Sequence, residues 1–424
     1  MIYPEPLNRE QRKKTQKNYC CFAALNGVSY MCLGETIIVL FAIKLNAPNS
    51  MVASLGAIIY LAFFMLPIGK IVAARVGAAR SQAVFWTLRN FMALLVALSA
   101  VTSQMGWHTL ALVQIMVGAC MFYGMRAAGV VMSQPYIGDM ASEKERPQLV
   151  GVSNSLFYIG CMLALLVIWW ILSISESVWV LTAIIIFGAV VGVCSTFFIR
   201  RMDESVAMIE AARRKVMPEI RESLKLDGMR KLICAMFTSN ITVIMLAASS
   251  MLCIKRGYGV SDTAALFFSL MQFSSAALFS FLSGKLTARF GSRRMVHCSF
   301  LLLLTVPFLW EIAPEKLNMP FAVLIFGLIG GAFIMCNNSI LTYYLQITPE
   351  RLWVASSMLT SVVTSVGAGV IGMVLSSGIF RIIDRVGSAW EPLSRFKVYF
   401  GVAVVILLML SYFIWSLPKT GKNQ

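Results

Sequence analysis

Apolar stretches of about 20 residues recur along the chain, separated by short polar segments rich in Lys and Arg. Each stretch is long enough to cross a hydrocarbon layer of ~30 Å as a helix, and none shows the period-2 alternation of a barrel strand. Lipid offers a backbone no hydrogen bonds, so helices are what this pattern predicts. Twelve are predicted: 19–44, 51–69, 83–103, 107–132, 149–172 and 177–199, then 231–254, 262–284, 294–312, 319–346, 352–379 and 396–417. The stretch 200–230 between the sixth and seventh is charged, with Arg213-Arg214-Lys215 and Pro218, and predicts an amphipathic helix from about Asp203 to Lys215. A short interfacial helix is also expected within 380–395, around Arg381, Asp384, Arg385, Trp390, Glu391 and Arg395. The expected organisation is an all-α integral membrane protein: six helices in 1–199, a linker over 200–230, and six helices in 231–424.

Composition agrees with this pattern. Of 424 residues 58% are hydrophobic and only 13% charged, with a mean hydropathy of +0.78; a soluble domain of this size needs more charge to cover its surface. The net charge of +17 raises the question of a nucleic-acid partner. Its distribution answers it, because about 26 of the 36 Lys and Arg fall in alternate connecting segments and about 8 in the others. That asymmetry sets orientation and predicts both termini in the cytoplasm of a multi-pass plasma-membrane protein. The first apolar run follows Arg9, Arg12, Lys13, Lys14 and Lys17 and is too long for a signal-peptide core. The outer loops are short and lack glycosylation sequons, which suits a bacterial inner membrane. Ten cysteines lie in or beside apolar runs without metal-ligand spacing, and read as small packing residues.

Two signatures recur at half the chain length. Gly69-Lys70-Ile-Val-Ala-Ala-Arg75-Val-Gly77-Ala-Ala-Arg80 follows the second span, and Gly284-Lys285-Leu-Thr-Ala-Arg289-Phe-Gly291-Ser-Arg293-Arg294 follows the eighth. Glu145-Arg146-Pro147 lies between the fourth and fifth spans, and Pro349-Glu350-Arg351 between the tenth and eleventh. All four segments are cytoplasmic in the predicted topology and fall in the same order within each six-span half. Here the chain resembles the major facilitator superfamily, whose segment between the second and third helices reads roughly G-x-L-x-D-R-x-G-R-R. The resemblance covers nearly the whole chain. It implies two six-helix bundles related by a pseudo-two-fold repeat, with alternating access to a central site. Ala74 and Ala288 stand where the family carries its acid, and one extra residue separates Gly69 from Gly77. Asp139 or Glu145 is then left to supply the missing anion of the cytoplasmic gate, which also contains Gly69, Arg75, Gly77, Arg80, Arg146, Gly284, Arg289, Gly291, Arg294, Glu350 and Arg351.

Ionisable groups inside spans are costly, so each is a candidate for function. Glu35 lies about 5 Å outward of the middle of the first span at 1.5 Å per residue, where a carboxyl group could take up and release a proton in each cycle. Arg126 in the fourth span cannot shed its charge and needs an anion: it either binds a carboxylate or phosphate on a substrate or snorkels to the interface. Arg89, near the start of the third span, is expected to snorkel. Asn26, Ser29 and Tyr30 share a face of the first helix, with Glu35 about 180° from Asn26 unless the helix bends at Gly27 or Gly34. Gln114, Asn240, Gln272, Asn337 and Asn338 are further candidates for substrate contact, each with an interhelical hydrogen bond as its alternative role.

Absences narrow the class. Gln114 and Gly118 stand where the family's drug–proton antiporters carry an arginine and a glycine pair, and the run from Val150 to Leu172 lacks their Gly-Pro signature. No phosphate-cradling loop is present to use ATP. His108 and His297, both near membrane edges, assemble no metal or catalytic set, so no metal, cofactor or enzyme activity is expected. The expected protein is a monomeric secondary active transporter that moves a small polar or anionic solute by proton-coupled symport. Export of amphipathic compounds or drugs is the alternative within transport, and a non-transporting sensor the alternative outside it.

Overall fold

The computed structural model describes residues 2–48, 51, 55, 58–175, 177–387 and 389–418, excepting the side chains of residues 35–36 and 262–264. Among the described residues, twelve helices are long and apolar enough to cross a membrane. In chain order they are α1 (Arg9–Lys44), α2 (Ile58–Val76), α3 (Ala78–Gln104), α4 (His108–Met140), α5 (Arg146–Ile174) and α6 (Val178–Arg200) in the first half. The second half holds α7 (Met229–Gly257), α8 (Ala265–Phe290), α9 (Ser292–Glu311), α10 (Met319–Ile347), α11 (Glu350–Val386) and α12 (Pro392–Trp415).

Many helices run past the apolar stretches that announced them, mostly at ends rich in Lys and Arg. These residues are strong helix formers, so the backbone keeps its hydrogen bonds beyond the hydrocarbon. The two repeated signatures are the clearest case. The segment 70–82, read as a loop, is helical except at Gly77, and its counterpart breaks only at Gly291. The two glycines adopt nearly the same backbone, φ 96° and ψ 164° against φ 85° and ψ 148°. A positive φ of this kind is open to glycine and strained for other residues, which is why the repeat keeps both glycines.

Two departures concern other connections. Residues 204–205 form a short strand, β2 (Glu204–Ser205), parallel to β1 (Ile2–Tyr3), and the amphipathic helix begins only at Val206 and ends at Arg213. Hydrogen bonds to 203–205 from α1, α3 and α4, described below, hold that stretch extended. Residues 380–386 continue α11 instead of forming a separate interfacial helix, with Arg395 Nη1 3.5 Å from Asp384 Oδ1.

Two compact units emerge. One comprises 1–149, 156–220 and 350–359, the other 150–155, 221–349 and 360–424. In the first unit, α1 opens with a capping box, in which Asn8 Oδ1 accepts from the Gln11 N–H and Gln11 Oε1 from the Asn8 N–H, both at 2.9 Å. It breaks at Gly34 (ψ 169°), the second of the two glycines at which a bend was considered, and resumes at Glu35. Gly27 instead brings α1 against α5, where an added Cβ would strike the Phe157 carbonyl oxygen; Gly160 does the same toward Ala24. Leu33, Phe41, Val96, Ile115 and Phe122 centre the apolar core of this unit. In the second unit, α11 contains a wider π-helical stretch at Val362–Gly367. Trp107, Trp170 and Trp179, at the helix ends opposite the linker, are exposed, as an aromatic belt requires.

Gly77→Ala and Gly291→Ala should each lower stability by about 1–3 kcal/mol through backbone strain. Gly77→Ala should lower the melting temperature more, because its new Cβ would also meet the Glu204 carboxylate while that of Gly291→Ala meets open space. Equal melting temperatures in detergent would contradict this difference.

Candidate functional site

The polar interior of the first unit is built where two helix faces meet. Asn26, Ser29 and Tyr30 lie at i, i+3 and i+4 on α1, and Trp86, Arg89 and Asn90 repeat that spacing on α3, so each trio presents one stripe. Arg89 occupies the junction. It does not snorkel: only 1% of it is exposed. Its Nη1 donates to Asn26 Oδ1 at 3.3 Å, and its Nη2 donates to Ser29 Oγ and Asn90 Oδ1, each at 3.2 Å. The guanidinium carbon lies 4.9 Å from the Trp86 ring centroid and 5.4 Å from that of Phe122. Trp86 Nε1 also donates to Asn26 Oδ1 at 3.0 Å, so the Asn26 carbonyl is committed to α3.

Arg126 lies one helical turn beyond Phe122 on α4 and is half-buried. Its guanidinium carbon is 5.1 Å from the Tyr30 ring centroid. Two arginines thus approach the same turn of α1, Arg89 from α3 and Arg126 from α4. Among the described residues, no carboxylate pairs with either, and Arg89 Nε has no hydrogen-bond partner. Neutral oxygens and aromatic faces supply what stabilisation they have. Gln114 sits about 18 Å along α4 from Arg126 at 1.5 Å per residue, its buried Oε1 also without a partner among the described residues. Glu35 opens the second segment of α1, but its side chain lies outside the described residues.

In the second unit the polar residues are more fully committed. Asn338 is buried: its Nδ2 donates to Ser280 Oγ and Ser283 Oγ, both at 2.9 Å, and its Oδ1 accepts from Asn154 Nδ2 at 2.6 Å. Ser280 Oγ donates in turn to the Gly151 carbonyl at 3.0 Å, which fastens segment 150–155 to α8 and α10. Gly284 faces Gly151, with its Cα 2.8 Å from where a Gly151 Cβ would stand, so it serves close packing. Asn240 Nδ2 donates back to the Met236 carbonyl at 2.9 Å. Gln272 and Asn337 are half-buried.

The repeated charged segments separate into those that meet and those that do not. Arg146 and Glu350, from the related segments of the two halves, pair at 3.3 Å within the first unit. Arg146 also donates to the carbonyls of Gly138 (3.0 Å) and Ala141 (3.2 Å) and lies 4.8 Å over the Trp353 ring. Gly69 packs against the Ala128 carbonyl. Arg75, Arg80, Arg289, Arg294 and Arg351 are exposed.

Neither Asp139 nor Glu145 takes the place of the missing acid. Glu145 turns back to accept from Ser142 N and Oγ at 3.1 and 2.8 Å, and Asp139 accepts from Ser205 N and Oγ at 3.1 and 2.7 Å. The carboxylate at the glycine hinge is Glu204, whose Oε2 accepts from the N–H groups of Ala78 (2.6 Å) and Ala79 (3.2 Å) at the start of α3. A carboxylate suits that position because the first N–H groups of a helix lack partners and carry positive partial charge. Lys14 Nζ pairs with Asp203 at 3.1 Å, Tyr136 donates to the Asp203 carbonyl at 2.7 Å, and Thr15 Oγ1 accepts from the Asp203 N–H at 3.0 Å. The sequence did carry a signal for this anchor: Asp203-Glu204 is an adjacent acidic pair in an otherwise basic linker.

The Major Facilitator Superfamily model matches residues 19–373, and the chain belongs to that superfamily. It is therefore a transporter and not an enzyme, with the superfamily's two six-helix bundles. No curated protein matches it by sequence. Among solved structures, it is similar to the proton:xylose symporter XylE bound to 6-bromo-6-deoxy-D-glucose, with a TM-score of 0.69 at 14% identity over 98% of this chain and 97% of that one. It is also similar to the E. coli fucose:proton symporter FucP, with a TM-score of 0.69 at 10% identity over 94% and 98%. The human organic anion transporter MFSD10 gives a TM-score of 0.63 at 14% identity over 95% and 99%. At these identities the likeness establishes a shared fold.

Burial, the largest influence, raises the Glu204 carboxyl above its usual range, while the N–H groups of Ala79 and Ala78 draw it down. A folded-state value above the unfolded one means that the folded chain keeps the proton to higher pH. This contribution to stability is therefore complete below the ordinary carboxylate range and is lost as pH rises through the raised value. Melting temperatures between about pH 4 and pH 8 should fall with rising pH in the wild type and fall less in Glu204→Gln. Identical slopes would remove Glu204 from this role.

Proposed function

We propose that the protein is a proton-coupled symporter for a small polar or anionic solute, with Arg126 as the anion contact and Glu35 as the proton carrier. The observation that carries the reading is Arg126 itself: a guanidinium within a membrane span, 5.1 Å from the Tyr30 ring centroid and without a carboxylate partner among the described residues. A guanidinium in that setting is stabilised by a ligand that brings the missing negative charge, and its planar fork suits a carboxylate or phosphate. Arg89 adds a second positive charge to the same turn of α1, which raises the local preference for anions. Glu35 enters on its position, as a carboxyl group within the first span and at the start of the helical segment that follows the Gly34 break. Interrupted helices are a common way for transporters to place ion and substrate groups at midmembrane. Arg146, Glu350 and Trp353 form the cytoplasmic closure in this scheme.

The test is proton movement in proteoliposomes on addition of pooled sugars, organic acids, phosphate esters or amino acids. An anionic pool should evoke a pH change in the wild type. Arg126→Gln should weaken apparent affinity by about 10–100-fold, the loss of a charge-assisted hydrogen bond. Glu35→Gln should abolish the pH change while solute counterflow persists. A pH change intact in Glu35→Gln would move the proton site elsewhere, and undiminished affinity in Arg126→Gln would remove Arg126 from substrate binding.

A further inference from the structure

A pocket of about 530 Å³ opens where α2 meets the linker, lined by Lys70, Ile71, Ala74, Arg75, Ala212 and Arg213. Two helix ends build it by capping each other. Lys70 Nζ donates to the Ala212 carbonyl at 2.7 Å and to the Arg214 carbonyl, at the end of the helix Val206–Arg213. Arg213 Nε donates to the Ala74 carbonyl at 3.1 Å, in the last turn of α2. Lys70 is buried and fixed in place, while Arg75 is exposed and makes no hydrogen bond or ion pair among the described residues. Carboxylates also lie nearby: Glu210 is one turn before Arg213 on its helix, and Glu219 Oε1 is 4.0 Å from Arg214 Nε. The pocket therefore holds three cations around a small apolar floor.

What lies beside the pocket points to the ligand. Phe64, Ile68, Ile71 and Arg75 follow one another at spacings of four, three and four residues, a single face of α2. The three apolar members are 64%, 47% and 56% exposed. This face belongs to a membrane span, leaves its apolar side chains exposed, and leads to Arg75 at the rim of the cationic pocket. A soluble phosphate would use the cations and ignore the stripe. A molecule with an anionic head and a hydrocarbon tail uses both. We propose that this pocket binds the headgroup phosphate of an anionic phospholipid, with an acyl chain along Ile71, Ile68 and Phe64. The site is separate from Arg126 and Glu35, and it stands or falls independently of the transported solute. A lipid seated there would bridge α2 to the helix that follows the Glu204 anchor.

Native mass spectrometry of the full chain in detergent, titrated with dioleoylphosphatidylglycerol, dioleoylphosphatidylcholine or sodium phosphate, tests the assignment. The first phosphatidylglycerol should bind at least about fivefold more tightly than phosphatidylcholine. Arg75→Gln should weaken it about fivefold, the effect of one basic residue at an anionic lipid surface. Arg80→Gln, which removes an exposed arginine outside the pocket, should leave it unchanged. Ile71→Ser should weaken both lipids and leave any response to inorganic phosphate untouched. Equal affinity for the two lipids, or no effect of Arg75→Gln, would overturn the proposal. So would an equal loss in Arg80→Gln, which would mean diffuse electrostatic attraction. A saturable response to inorganic phosphate together with lipid binding indifferent to Ile71→Ser would assign the pocket to free phosphate instead.

Discussion

A guanidinium keeps its proton even in a hydrophobic interior, so an arginine placed there must be surrounded by groups that replace water. Arg89 imposes that demand on the first unit. Asn26 and Ser29 of α1, Asn90 of its own helix, and the faces of Trp86 and Phe122 all turn toward it. The register of α1 against α3 follows, because sliding either helix by one residue would move its polar stripe away by about 100°. Tyr30, one residue beyond Ser29, is carried by the same register to the ring face that Arg126 occupies. The placement of Arg126 is thus partly a consequence of how Arg89 is housed.

This dependence explains what could be read from the chain. Twelve apolar spans are a property of local composition, and their number was legible in the sequence. Helix ends were less so, since charged residues such as Lys70 and Arg75 read as loop although they propagate a helix well. The charged segments were legible as a repeat, but that Arg146 of one meets Glu350 of the other was not. Arg89 was misplaced because its depth was judged from sequence position alone. Its burial depends on Asn26 and Ser29, about 60 residues away, and no periodicity within α3 announces them.

Glu204 was missed for a related reason. A search for the absent acid of the first signature looked near that signature, at Asp139 and Glu145, whereas the group that caps α3 comes from 126 residues along the chain. The requirement was legible, since the first N–H groups of α3 needed an acceptor, but its source was not. A rule that held was physical: a carboxylate flanked by basic residues beside an uncapped helix start is drawn to it.

The two repeats thereby acquire different roles despite their shared backbone. At Gly77 the turn is closed over by Glu204, whose strand is held in turn by Ile2–Tyr3, Lys14, Thr15, Tyr136 and Asp139. At Gly291 a side-chain atom would meet nothing within 4 Å. One hinge is therefore tied to the linker and the N-terminus, while the other is free of comparable cover. Because the linker is a single segment, it can dock on only one copy of a duplicated motif, and the first copy precedes it within the same unit. Loss of the acid from position 74 is compatible with that arrangement, since Glu204 now supplies the charge from outside the motif. Among the described residues no such replacement for Ala288 stands at Gly291, so the second turn rests on its glycine geometry and on the helices it joins.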